Sequence, residues 1–154
     1  MKKVLTMLLV TITIVINAVA CGGGSSKNIE KFHDLVVESQ ELLDIVADDI
    51  YDNWHGAIYD DEYGGDIDMA ILYASGDNSE NIEVIKANND KIKDLYKKAK
   101  ESDLELEVKE VMHAYNDYYA LVIEVSGSFA TFKESKETLK KELASAIKNL
   151  EMEM

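Results

Sequence analysis

The side chains best suited to metal binding or nucleophilic catalysis are three histidines and one cysteine. His33, His55 and His113 lie far apart, and none belongs to a His-x-x-x-His or His-Glu-x-x-His pattern, which places two ligands on one helical face. The sequence also lacks the Gly-x-Ser-x-Gly turn that exposes a nucleophilic serine in many hydrolases. We therefore expect neither a zinc site nor catalytic residues, and no cofactor.

The cysteine follows an export signal. Met1-Lys2-Lys3 is a short positive start, residues 4–16 are predominantly apolar, and small residues at Ala18 and Ala20 provide a cleavage site before Cys21. The apolar stretch is shorter than the roughly 20 residues that span a bilayer. This arrangement resembles the lipobox of bacterial lipoproteins, in which a diacylglyceryl group is attached to the thiol before cleavage. Ala18 stands where that motif most often has leucine.

Three segments follow from this resemblance and from composition. We expect residues 1–20 to be a cleaved lipoprotein signal peptide, residues 21–26 to be a lipidated Cys21 with a flexible Gly/Ser tether, and residues 27–154 to be one folded domain. Cys21 has no second cysteine with which to form an intramolecular disulfide. Removing the two signal-peptide lysines changes the formal net charge from −14 to −16. A charge of this sign repels nucleic acid.

Helical periodicity dominates the remaining chain, which contains no proline. From Lys27 to about Tyr59, apolar residues recur at spacings of three, four and seven, which predicts a long amphipathic helix with Ser26 as its N-cap. Its apolar stripe comprises Phe32, Val36, Leu43, Val46, Ile50, Trp54 and Ile58. Residues 60–65 interrupt the pattern, and Asp66 is suited to cap a short helix that ends at Ser75-Gly76.

Three more long helices are predicted. Asp77 or Ser79 opens the next one, and the pattern Ser102-Asp103-Leu104-Glu105 predicts a capping box that separates it from the third. The third ends at Gly127 and Ser128 caps the fourth, whose apolar stripe is interrupted by Lys136. The second and third stripes include Ile82, Ile85, Asn89, Ile92, Tyr96, Ala99, Val108, Val111, Tyr115, Tyr118 and Val122. The predicted fold class is all-α, an antiparallel bundle of four long helices with one short helix in the first connection.

Charge is distributed unevenly along the chain. No lysine occurs between Lys31 and Lys86, a stretch with fifteen acidic residues, whereas the rest of the chain to the C-terminus has twelve lysines and fourteen acids. One interpretation is that lysines of neighbouring helices pair with these acids, each exposed pair contributing about 0 to 1 kcal/mol. The other is an electronegative surface for a basic partner. The candidate surface residues are Tyr51, Trp54, Tyr59, Asp60, Asp61, Glu62 and Tyr63.

The same acidic run invites comparison with a calcium-binding loop, because hard cations prefer several carboxylate oxygens. An EF-hand loop beginning at Asp60 would have the required glycine at its sixth position. However, Gly64 stands where a ligand is needed, and Ile71 replaces the closing glutamate. The pattern therefore favours an ordinary solvated loop over a metal site, with weak cation binding as the alternative.

Three short motifs resemble those of an uncharacterised family of small helical lipoproteins and secreted proteins from low-GC Gram-positive bacteria. They are residues 53–59 (NWHGAIY), residues 114–119 (AYNDYY), and Gly127-Ser128-Phe129 with Phe132. Family members tend to have an aromatic residue after the tryptophan, where this chain has His55-Gly56. The resemblance implies a helical fold and an extracytoplasmic location, but no chemical activity.

Together these features predict a non-catalytic lipoprotein, anchored by lipid to the extracytoplasmic face of the cell membrane. It would serve as a binding or accessory module for a protein or cell-envelope partner. The alternative function is that of a small-molecule or cation-binding lipoprotein, whose ligand is held between helices near Asn89, Tyr115 and Tyr118. A cavity among these side chains would favour the alternative, and a filled core would not.

Replacing Cys21 with serine tests the anchor. Thioether attachment of a lipid requires the sulfur of Cys21, and no other residue of the chain supplies a thiol. We expect Cys21→Ser to abolish incorporation of a labelled fatty acid in cells and to block lipoprotein-type processing. A variant that still incorporated the label would contradict lipidation at this residue.

Overall fold

A computed structural model describes residues 25–154, and all regular structure in this range is helical, which confirms the all-α class. Five α-helices and one short 3-10 turn make up the fold. They are α1 (Ser25–Tyr59), the turn (Glu62–Gly65), α2 (Ile67–Asp77), α3 (Ser79–Ala99), α4 (Glu105–Ile123) and α5 (Phe129–Glu153). The predicted signal peptide, Cys21 and the glycines of the tether lie outside the described residues.

Helix α1 contains 35 residues and contacts every other element of this part of the chain. The apolar stripe from Phe32 to Trp54 is buried as predicted, with Phe32, Val36 and Ile50 fully inaccessible to solvent. Ile58 was predicted in the same stripe but is 40% exposed, because it lies in the last turn of α1 beside an open cleft. The helix also begins two residues earlier than predicted, so Ser26 lies within it instead of capping it.

Contacts at its two ends show how α1 packs against α5. Near the start of α1, His33 Nε2 lies 3.0 Å from Glu151 Oε1 at the end of α5. Near the end of α1, the rings of Trp54 and Phe132 are 5.6 Å apart, at the start of α5. On another side, α1 packs along α3, and α4 packs against both α5 and α1. The buried apolar side chains of these helices form one continuous core.

Two of the predicted helix caps are present. The Asp66 carboxylate accepts a hydrogen bond from the Met69 backbone N–H at 3.0 Å, and the Ser128 hydroxyl accepts one from Thr131 at 3.2 Å. Each satisfies a backbone donor that the first turn of a helix otherwise leaves free. They fix the starts of α2 and α5.

The connection between α2 and α3 differs from the prediction. Helix α2 continues through Ser75-Gly76 to Asp77, and Asn78, instead of Asp77 or Ser79, precedes α3. The Asn78 side chain donates to Ala74 O at 3.0 Å and to Asp49 Oδ2 at 2.7 Å. This buried amide therefore joins the end of α2 to α1, a contact that no local pattern indicates.

The predicted boundaries of α4 are also wrong. The Ser102 hydroxyl accepts from the backbone N–H of Leu104 at 3.2 Å, so it does not form the capping box with Glu105. The helix ends at Ile123, before the predicted stop at Gly127. Gly127 instead lies in the loop with φ of +89°, a conformation that glycine adopts without steric cost. No helix among the described residues is both long enough and apolar enough to cross a bilayer.

Truncation of a core tyrosine tests the packing. Tyr118 is fully buried, and its hydroxyl donates to Asp44 Oδ1 at 2.7 Å. We expect Tyr118→Ala to lower the free energy of unfolding by about 3 kcal/mol, because it leaves a cavity. Tyr118→Phe removes only the hydrogen bond and should cost about 1 to 2 kcal/mol. Urea unfolding followed by circular dichroism measures both, and equal costs for the two variants would contradict this account.

Candidate functional site

The end of α1, the 3-10 turn and the start of α2 form a continuous exposed region, residues 58–68, which we call the acidic aromatic surface. Tyr59 is 65% exposed, and Ile58 and Ile67 are about 40% and 38% exposed. The carboxylates of this surface are all on exposed residues, namely Asp60, Asp61, Glu62, Asp66 and Asp68. The structure thus brings apolar area and negative charge together where the sequence predicted a partner surface.

Tyr63 fixes the turn at the centre of this surface. Its hydroxyl donates a short hydrogen bond to Asn53 Oδ1 on α1, and its ring stacks on Tyr73 of α2 with centroids 5.4 Å apart. The backbone of Asp61 and Tyr63 is left-handed, with φ of 55° and 54°, which is unfavourable for residues other than glycine. The side-chain contacts of Tyr63 offset part of this cost. Tyr63 therefore joins the turn to both α1 and α2.

Two of the predicted surface aromatics face inward. Trp54 is only 4% exposed, and its ring contacts Phe129 at 5.8 Å between centroids. Tyr51 stacks on the same Phe129 at 5.1 Å, and the Lys136 ammonium lies 4.6 Å above its ring. Such contacts are ordinary core and cation–π packing. Trp54 is therefore a core residue, and Tyr51 belongs to the contact between α1 and α5 instead of the partner surface.

His55 joins the two regions, although the sequence analysis assigned it no role. Its ring lies 4.6 Å from that of Tyr59 and 6.0 Å from that of Phe129. Its Nδ1 is 3.5 Å from Asp60 Oδ2. The spacing of four residues between Tyr51, His55 and Tyr59 was the signal that these rings share one side of α1. The His55 ring therefore packs against the ring of the exposed Tyr59.

Lysines neutralise some of the acids of α1 but not those of the acidic aromatic surface. Lys136 is 2.5 Å from Asp48, and Lys140 is 3.0 Å from Asp44, so α5 neutralises the middle of α1. Within residues 58–68, the only ion pair that the structure describes is the one between Asp60 and His55. Pairing with neighbouring lysines therefore describes the middle of α1, whereas no lysine of residues 25–154 pairs with the acids of the acidic aromatic surface.

Burial, together with nearby negative charge, raises the pKa of two groups next to this surface. Burial raises the pKa of the Asp49 carboxyl, and the nearby charges of Asp77 and Asp52 raise it further, against hydrogen bonds from two asparagine side chains. Burial also raises the pKa of the Tyr63 hydroxyl, with the charge of Glu62 as the next cause. A cationic group placed here would relieve this repulsion.

A cleft of about 540 Å³ lies beside the acidic aromatic surface. It is bounded by the end of α1, the start of α2 and the loop before α5. Its lining comprises Trp54, Ile58, Gly65, Asp66, Ile67, Asp68, Gly127, Ser128 and Phe129. The apolar wall with two carboxylates at its edge is suited to a side chain that has an apolar stem and a positive end.

The residues proposed to line an internal ligand site fill the core instead. Tyr115 and Tyr118 are fully buried on α4, and Asn89 is 5% exposed on α3. The Tyr118 hydroxyl is hydrogen-bonded to Asp44, whereas the buried Tyr115 hydroxyl and Asn89 Oδ1 have no hydrogen-bond partner of ordinary geometry. Five clefts of about 320 to 580 Å³ lie on the described residues, and none of them is lined by Asn89, Tyr115 or Tyr118.

The acidic loop does not assemble into an obvious metal centre in the described part of the chain. No three His, Cys, Asp or Glu side chains of residues 25–154 are grouped so that they could hold an ion.

Comparison of the chain with protein-family models, curated proteins and solved structures finds no match. The resemblance to small helical lipoproteins stays a prediction.

Alkaline pH tests the burial of the two core tyrosines. Burial raises the pKa of Tyr115 and of Tyr118 above the ordinary value, and the charge of Asp44 adds to the effect at Tyr118. The unfolded chain therefore releases these protons at lower pH than the folded chain does. Their contribution to stability is complete below about pH 10 and is lost as the pH rises further.

We therefore expect the urea midpoint to decrease as the pH rises from about 10 to about 12. The double variant Tyr115→Phe/Tyr118→Phe, which cannot ionise at these positions, should lose less stability over the same range. Tyr59→Phe is the matched control because Tyr59 is largely exposed, and it should follow the wild type. Identical pH profiles for the double variant and the wild type would contradict the assignment.

Proposed function

We propose that this protein is a non-catalytic binding or accessory module, held on the extracytoplasmic face of the cell membrane by a lipid on Cys21. Its partner is a protein or cell-envelope component with a Lys- or Arg-rich surface. The observation that carries the proposal is the acidic aromatic surface, which combines exposed apolar side chains with carboxylates that lysines do not neutralise. Interfaces of this kind favour aromatic contact area, and complementary charge accelerates encounter.

The proposed architecture is an antiparallel bundle of the four long helices α1, α3, α4 and α5. Contacts between the start of α1 and the end of α5, and between the end of α1 and the start of α5, support opposite directions for this pair. Contacts from Phe32 to Tyr96 and from Asp49 to Asn78 support the same relation between α1 and α3. Helix α2 is then the short helix of the first connection.

This architecture separates the anchor from the acidic aromatic surface. With 35 residues and a rise of 1.5 Å per residue, α1 is about 50 Å long. A lipid attached a few residues before Ser25 would therefore lie at one end of the long axis, and residues 58–68 at the other. A surface in that position faces away from the membrane and is accessible to partners in the envelope.

Neutralising the turn tests the proposal. Asp60, Asp61 and Glu62 are exposed, so replacing all three with serine should leave the thermal melt nearly unchanged. The experiment places a photo-crosslinking amino acid at Tyr59 in the full-length lipoprotein in its native cells. We expect the wild type to capture a specific partner and the triple variant to capture several-fold less.

A matched triple variant controls for net charge. Glu101, Asp103 and Glu153 are exposed residues of other segments that lie towards the start of α1, away from the turn. Replacing them with serine changes the total charge by the same amount. This variant should retain capture. The purified partner should also bind the wild type more weakly at about 500 mM salt than at about 50 mM, because salt screens exposed charges. Capture that is indifferent to salt and to the triple change would overturn the proposal.

A further inference from the structure

Helix α2 has an apolar face that the rest of residues 25–154 leaves largely exposed. Met69, Leu72 and Tyr73 are 42%, 66% and 54% exposed, and Gly76 is exposed one turn further along. Their spacing of three, four and seven residues places all four on one side of the helix. The opposite side carries Ala70 and Ala74, which are fully buried. Helix α2 is thus apolar on two faces, and only one of them is used within the described structure.

Carboxylates border this outer face on both sides. Asp68 precedes Leu72 by four residues and Asp77 follows Tyr73 by four residues, which places one acid on each flank of the apolar strip. Both residues are exposed, and neither forms an ion pair with any residue that the structure describes. The nearest lysine that follows in the sequence is Lys86. The outer face is therefore an apolar strip between two negative edges.

Gly76 gives the strip room for close approach. A Cβ atom built at this position has no other atom within 4 Å, so the space above the glycine is open. Glycine in a helix costs about 1 kcal/mol relative to alanine, and packing within the described structure does not require it here. A small residue on an exposed helix face allows another backbone to approach closely.

The strip is continuous with the acidic aromatic surface. The Tyr73 ring stacks on Tyr63 of the turn, so the two surfaces share one aromatic contact. Asp77 also lies close enough to Asp49 and Tyr63 for its charge to act on both. One partner can therefore contact the apolar strip and the negative turn together.

We propose that the outer face of α2 binds an amphipathic helix of the partner, whose apolar stripe covers Met69, Leu72, Tyr73 and Gly76 and whose flanking Lys or Arg residues meet Asp68 and Asp77. This inference rests on the proposed function and specifies the class of partner. Charge complementarity favours a basic amphipathic helix as the occupant, because a helix with a polar but uncharged border would leave Asp68 and Asp77 without ion-pair partners. A second copy of this chain would bring like charges together, since the same acids border its own strip.

The test measures binding of a synthetic peptide probe to the intact lipoprotein in detergent. The same measurement is made in parallel on the protein from residue 25 onward. The probe is a fluorescent 18-residue peptide of leucine and lysine, with leucines at helical spacings of three and four. A second peptide has the same composition in scrambled order, and a third has glutamate in place of lysine. Binding is followed by fluorescence anisotropy at about 150 mM salt, where charge alone acts over only about 8 Å.

The variants separate the strip from the negative turn. Leu72→Ser/Tyr73→Ser removes apolar area, and Gly76→Gln obstructs close approach at a site where a side chain meets nothing. Leu106→Ser is the matched control, because Leu106 is 64% exposed on α4. We expect the double variant and Gly76→Gln each to weaken binding of the amphipathic basic peptide about tenfold. The control should bind like the wild type, and the scrambled and acidic peptides should bind far more weakly.

Two results would overturn the inference. The first is equal binding of the ordered and scrambled basic peptides, with no effect of the strip variants. If Asp60→Ser/Asp61→Ser/Glu62→Ser still weakened binding in that case, the acidic aromatic surface would bind basic partners, but the outer face of α2 would not bind a helix. The second is a concentration-dependent dimer in sedimentation that Leu72→Ser/Tyr73→Ser abolishes, because a second copy would then be the occupant. Failure of the proposed function would give a different result, because crosslinking from position 59 in native cells would then capture no partner.

Discussion

The burial of one apolar stripe along α1 is the constraint on which the rest of the structure depends. A helix of 35 residues is stable in water mainly through the packing of its apolar side, and α1 needs several partners to cover that side. Every other helix of residues 25–154 contacts it. In the last turn of α1, Ile58 and Tyr59 are 40% and 65% exposed beside an open cleft. The acidic aromatic surface begins at this turn.

The acids of α1 and those that follow it differ in whether a lysine of α5 lies close enough to pair with them. Asp44 and Asp48 lie beside α5 and pair with Lys140 and Lys136, whose side chains reach across from that helix. No lysine of residues 25–154 pairs with Asp60 or with the other acids of the acidic aromatic surface, and only Asp60 has the His55 ring beside it. Unpaired negative charge is therefore concentrated just beyond the C-terminal end of α1.

The sequence predicted what depends on local periodicity. The stripe from Phe32 to Trp54 and the caps at Asp66 and Ser128 are local features, and the structure contains them. The start of α3 was missed because Asn78 is held by Asp49, a residue of another helix. The sequence placed Trp54 both in the buried stripe and on the candidate surface, and Tyr51 on the surface, since only tertiary contact with Phe129 decides which aromatic side chains turn inward. The exposed outer face of α2 was not predicted, because no local pattern shows which apolar residues of a short helix other helices cover.

Asp44 has a consequence for how the helices can move. One of its oxygens accepts from Tyr118 on α4 and the other lies 3.0 Å from Lys140 on α5, so a single carboxylate ties three helices at one height. One turn along, Asp48 and Lys136 repeat the tie between α1 and α5. Sliding either neighbour by a helical turn would break several polar contacts at once. A force along the axis of α1 would therefore be resisted at its middle, where polar contacts as well as apolar packing join the three helices.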